Sequence, residues 1–182
     1  MLTLSSTAPA EQPTVRVWDP FVRLFHWSVV GACALNLTIL DDGKFAHRWI
    51  GYGVLALLTL RLVWGVVGSR HARFNDFVPG PRGLIAYLGA LARGREPRFL
   101  GHNPAAAVMI LALMALLAAI GVTGWMQTLD AFWGYEWVEE LHEGLANGLI
   151  VLVVVHVAAA VFESLRHREN LIRSMITGRK RR

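Results

Sequence analysis

Two histidines, His142 and His156, stand fourteen residues apart in LHEGLANGLIVLVVVHVAAAVFES, a stretch otherwise built largely of apolar side chains. An ionisable group in hydrocarbon is costly and usually has a task, and neutral imidazole is the commonest metal ligand. On a helix the two rings fall about 40° apart around the axis and about 21 Å apart along it. They share one face at two depths. Two more histidines, His26 and His47, open other apolar runs. A zinc site takes about four nitrogen, sulfur or oxygen donors, and beyond the imidazoles only Glu143 is placed to join one. A haem iron takes its equatorial nitrogens from the porphyrin and asks the protein for two axial ligands only.

The elements that must position these rings are membrane spans. Of the 182 residues 54% are hydrophobic and 17% charged, and the mean hydropathy is +0.43. Four runs reach the roughly 20 apolar residues that a bilayer core requires: about 21–40, 48–67, 103–127 and 142–162. A shorter run, RGLIAYLGALAR at 82–93, has helical period and is expected to lie on the membrane surface as an amphipathic helix. Asn103 and Pro104 suit the cap and first turn of the third span. The expected fold is all-α: an integral-membrane four-helix bundle occupying 21–168. A mobile N-terminal arm (1–20) would precede it and a basic tail (169–182) would follow. Alternating spans put His26 level with His156 near one surface, and His47 level with His142 near the other. Each pair draws on two helices, so the two layers match two bis-histidine haem b groups. Gly31, Gly51, Gly144 and Gly148 could clear space for the flat macrocycle, although small residues also serve ordinary helix packing.

Net charge is +5, but the basic residues cluster at the ends of apolar runs, so lipid topology accounts for them better than nucleic acid does. Sixteen of the eighteen Lys and Arg fall on the side of both termini and of the 68–103 loop. That side is expected to be cytoplasmic. The opposite loop, 128–141, has no Lys or Arg and carries Asp130, Glu136, Glu139 and Glu140. It could dock a basic partner such as a c-type cytochrome, and Trp125, Trp133, Tyr135 and Trp137 read as an interfacial belt. Cys33, the single cysteine, permits no intrachain disulfide and reads as core filling. His71, His102 and His167 lie in basic segments and are expected to be solvated. Arg61, fourteen residues after His47, lies level with His26 and His156. It either snorkels to headgroups or pairs with a propionate of the haem at that depth.

The segments VWDPFVRLFHW, HRWIGYGVLALLTLRLVWGVVGSRHARF, GHNPAAAVMILALMALLAAIGVTGW, LHEGLAN and RENLIRSMITGRKR carry a resemblance. They look like the bacterial cytochrome b561 family, which includes nickel–iron hydrogenase b subunits, over almost everything after the first dozen residues. The resemblance implies a di-haem cytochrome of the inner membrane, with His26 and His156 on one haem and His47 and His142 on the other. It further implies electron exchange between the quinone pool and a redox partner: a c-type cytochrome, a hydrogenase or another dehydrogenase. The alternative within the same fold is a self-contained enzyme that oxidises superoxide and reduces quinone, for which Lys44 and Arg48 are the only cations on the far side.

Overall fold

The structure is a computed structural model, described here over residues 13–40 and 44–182. A short strand β1 (Thr14–Arg16) leads into α1 (Pro20–Thr38) and α2 (Phe45–Val67). A 3₁₀ turn (Arg70–Ala72) and the single-turn α3 (Phe74–Phe77) precede α4 (Pro81–Ala92) and α5 (Pro104–Met126). A second 3₁₀ turn (Asp130–Phe132), α6 (Glu136–Arg166), α7 (Leu171–Thr177) and β2 (Arg179–Arg181) complete the chain. Among the described residues, helices α1, α2, α5 and α6 are the four long and apolar enough to cross a membrane, so this is an all-α, multi-pass bundle.

Local chemistry sets the boundaries. Asp19 caps α1, its Oδ1 accepting from Val22 N at 2.9 Å, with Pro20 in the first turn. Asn103 does the same for α5 through Ala106 N at 2.7 Å, again followed by proline. The other oxygen of Asp19 accepts from Trp64 Nε1 at 3.1 Å and from the Ser69 hydroxyl. One carboxylate therefore joins the start of α1 to the end of α2 and the turn beyond. The fourth helix exceeds its expected span at both ends, running 136–166. Its 31 residues reach about 46 Å, more than a core of about 30 Å can hold. Glu136 and Glu139 in the first turn and Arg166 in the last complement the helix dipole, so these polar ends stay helical.

The core is a layer of Val54 and Leu58 from α2, Met114 and Leu117 from α5, and Leu149 from α6. Phe25, Val29, Ala32 and Cys33 of α1 pack on it, which gives the cysteine its place as filling. Outward side chains such as Val66, Val67, Val151 and Leu165 remain exposed, as a lipid-facing surface requires. The main helix contacts are α1 on α2, α2 on α5 and α5 on α6, with α4 against α5.

Part of the expected N-terminal arm meets the basic tail. Residues 1–12 lie outside the described residues, but Thr14, Val15 and Arg16 pair antiparallel with Arg181, Lys180 and Arg179. Gly178, with φ at 78°, closes α7 and turns the chain into this ribbon. Glu169 then accepts from Arg98 and from Arg181 N, tying the ribbon to the loop before α5. Pairing across the whole length of the chain leaves no trace in local periodicity.

Candidate functional site

Both expected histidine layers are assembled. His26 of α1 faces His156 of α6 with ring centroids 6.5 Å apart and planes at 50°. His47 of α2 faces His142 of α6 at 6.2 Å and 64°. Two imidazoles sharing a metal at about 2 Å from each coordinating nitrogen put their ring centres about 6 Å apart, so both separations leave room for one iron. Each pair bridges α6 to a helix other than α5, its principal packing partner, which is where a large flat group has space. No cluster of three or more His, Cys, Asp or Glu suited to a metal ion occurs among the described residues. The donor set thus fits a group that needs two protein ligands.

The second layer is oriented by a residue with no obvious signal in the sequence. Thr123, 5% exposed on α5, places Oγ1 3.0 Å from His142 Nδ1 and 3.0 Å from the carbonyls of Ala119 and Ile120. The hydroxyl has one proton, which goes to the carbonyls, so it accepts from Nδ1–H. That choice of tautomer makes Nε2 the nitrogen with the lone pair, the form a metal ligand needs. Gly124 beside it admits the ring, since a Cβ there would lie 3.0 Å from His142 Cε1. The motif IGVTGW carries both residues, but a threonine in an apolar helix more often bonds its own backbone. In the other layer, His26 Nδ1 is buried and has no hydrogen-bond partner.

Of the four glycines expected to clear space, Gly51 fits best. It follows His47 by four residues, about 40° round the helix, and a Cβ there would meet nothing within 4 Å. Gly31 and Gly144 are also open, but they sit about 140° and 160° from His26 and His142 and look away from the paired rings. Gly148 lies against Leu116 of α5.

Arg61 does not reach out to headgroups. It is 3% exposed, donates from Nη2 to Ala72 O at 3.1 Å and lies 5.2 Å from the centre of the Phe74 ring. Its Nη1 is buried and has no partner. Gly65 makes this possible, because a Cβ there would overlap the Phe74 ring. The expectation of a solvated His102 is corrected. Its ring lies tilted on Trp18 at 4.4 Å and edge-on to Phe77 at 5.0 Å, and burial, with Lys180 and Arg61 adding positive charge, pushes its pKa down to about 3. His71 and His167 are not free either: they pair with Asp76 at 3.1 Å and Glu163 at 3.2 Å. Trp125, Trp133, Tyr135 and Trp137 are all exposed.

Residues 17–178 match the family model described as prokaryotic cytochrome b561. Three relatives described as probable Ni/Fe-hydrogenase B-type cytochrome subunits align over most of their own lengths. The Bradyrhizobium diazoefficiens protein is 26% identical, covering 93% of this chain and 87% of its own. Its Rhizobium leguminosarum counterpart is 25% identical over 93% and 90%, and that of Azotobacter vinelandii 26% over 92% and 89%. No solved structure matches the chain. With four membrane-crossing helices, two facing imidazole pairs and a family match over nearly its whole length, the chain belongs to the prokaryotic cytochrome b561 family and is a membrane b-type cytochrome.

Proposed function

We propose that the chain binds two haem b groups, one between His26 and His156 and one between His47 and His142, and carries electrons between the quinone pool and a protein redox partner. The observation that carries this reading is the pair of imidazole couples, 6.5 and 6.2 Å apart, at opposite ends of one bundle. When bound, each haem would supply one-electron chemistry, and the two imidazoles of its pair would hold it. The protein's own groups do the rest. Thr123 holds the proton on Nδ1 of His142, Gly51 leaves the space, and the unpartnered Nη1 of Arg61 answers the charge of a propionate. Ligands fourteen residues apart on α6 set the layers about 21 Å apart, enough to relay across most of a core of about 30 Å.

The basic side, with both termini, is cytoplasmic in this reading, and the membrane is the bacterial inner membrane. The far side carries Asp130, Glu136, Glu139 and Glu140 against Lys44 and Arg48. That balance favours a protein partner over an anionic small substrate such as superoxide. The relatives' names point to a nickel–iron hydrogenase in that role, ahead of a c-type cytochrome. Pyridine haemochrome analysis tests the core of the reading, and two haems per polypeptide are expected. Replacing His26 or His156 should remove one haem and spare the other, and replacing His47 or His142 should do the reverse. One haem in the wild type would sink the scheme.

A further inference from the structure

A cavity of about 330 Å³ opens beside the loop that leads into α5. Phe77, Phe99 and Leu100 make its apolar wall, and His71, Asp76 and His102 its polar one. That mixture suits a small, flat, partly polar ligand. His71 Nδ1 and Asp76 Oδ2 are 3.1 Å apart, and both side chains keep contact with solvent, at 22% and 27% exposure. A carboxylate that accepts from Nδ1–H leaves the lone pair of the ring on Nε2. Two features hold the pair in place. Arg61 donates to the carbonyl of Ala72, the residue after His71, and Gly101 lies so close that a Cβ would come within 3.3 Å of His71 Nδ1.

We propose that His71, oriented by Asp76, exchanges protons with a quinone head bound in this cavity. The assignment rests on the reading that the protein trades electrons with the quinone pool, and it names the groups that handle the accompanying protons. Oxidation of one hydroquinone to quinone releases two electrons, which bound haems would take up as one-electron acceptors, and two protons, which pass to Nε2 of His71 one at a time and on to water. Quinone reduction runs the same transfers in reverse. His102, which lines the same cavity, is the rival base. It is packed against two rings, and burial pushes its pKa to about 3, so it carries no exchangeable charge near neutrality. Arg61, which holds Ala72, lies on α2 at the level of His26 and His156, which puts the cavity on the side of the first layer. The charges around His71 are largely committed. Arg70 lies 3.6 Å from Asp76 Oδ1, Arg98 is held by Glu169, and the adjoining recess brings up Arg16 and Asp19.

Stopped-flow reduction of the oxidised holoprotein by a short-chain benzoquinol, between about pH 5.5 and 8.5, reads this directly. The wild-type rate should climb with pH, as a step that hands protons from quinol to a base does. His71→Gln should slow it by about 100-fold at saturating quinol and flatten the profile, while dithionite still reduces both haems. Asp76→Asn should give a smaller loss with a displaced profile, and Asp76→Glu should recover most of the rate. Binding of the short-chain quinone, followed by quenching of tryptophan fluorescence, should survive His71→Gln and vanish in Leu100→Trp, which fills the cavity. A His71→Gln protein with the wild-type rate and pH profile overturns the assignment but leaves the quinone reading intact. Failure of the quinol to reduce a wild-type protein that dithionite reduces removes the quinone reading itself, and this assignment with it.

Discussion

Thr123→Val should change one haem and not the other. Valine keeps the shape of threonine and removes the oxygen, so the packing of α5 against α6 is preserved while Nδ1–H of His142 loses its acceptor. The hydroxyl sits 3.0 Å from that nitrogen and is itself fixed by two carbonyls at 3.0 Å, so the bond is pre-organised. A neutral hydrogen bond of this kind contributes about 1 kcal/mol net. Accepting from Nδ1–H makes an imidazole a stronger donor to its metal and favours the oxidised iron. If about half to all of that 1 kcal/mol acts on the oxidised state, its loss raises a one-electron midpoint by about 20–40 mV. Retention should weaken too, since losing such an outer partner costs about 10–100-fold in affinity. The assay is a redox titration in detergent with the haem content measured on the same sample. The shifted haem must be the one lost in His142→Ala, and Thr123→Ser should behave as wild type. Unchanged midpoints with two haems retained, or a shift confined to the haem lost in His26→Ala, would refute the argument.

Two glycines should respond in opposite ways. Gly51→Leu projects into the open space beside His47 and should lower haem content to one per chain with the fold intact. Gly121→Ala, whose Cβ would overlap Leu55, should destabilise the bundle by about 1–3 kcal/mol while sparing the ligands; thermal unfolding and haem content separate the two. His102 has a folded-state pKa of about 3, below its unfolded value, so the unfolded chain takes up the proton first as pH falls. Wild type should therefore lose stability relative to His102→Phe below about pH 6.5, by up to about 1.4 kcal/mol per pH unit. Parallel melting curves for the two proteins would refute that. A reporter active only in the periplasm should be silent when fused after Arg182 and active in the 128–141 loop, and the opposite pattern would invert the bundle.

Much of this protein is legible without coordinates because a bilayer imposes simple rules on a chain. A span must be apolar for about 20 residues, so α1, α2, α5 and α6 can be read as runs of composition. Helical geometry then converts the fourteen residues between His142 and His156 into one face and two depths. Alternating direction matches His26 and His47 to those depths, and the pairing of the histidines follows. Arg61 at the level of His26 follows by the same arithmetic. What periodicity cannot reach is contact between segments far apart in the chain. The bond from His142 to Thr123 joins two helices, and nothing in IGVTGW tells which face of α5 will meet α6. The surroundings of His102 are likewise tertiary. Trp18, Phe77 and His102 come from three separate segments, so a histidine in a polar loop reads as solvated until the rings pack against it. The clearance at Gly31, Gly51 and Gly144 is tertiary for a related reason: a small residue signals close approach or open space, and only the packed direction of its helix says which. The strand pairing of 14–16 with 179–181 depends on the bundle bringing both ends of the chain to one face. Composition and spacing determined the spans and the depths and pairing of the histidines. Packing alone decided which groups orient those rings, because orientation is set by neighbours across helices rather than along them.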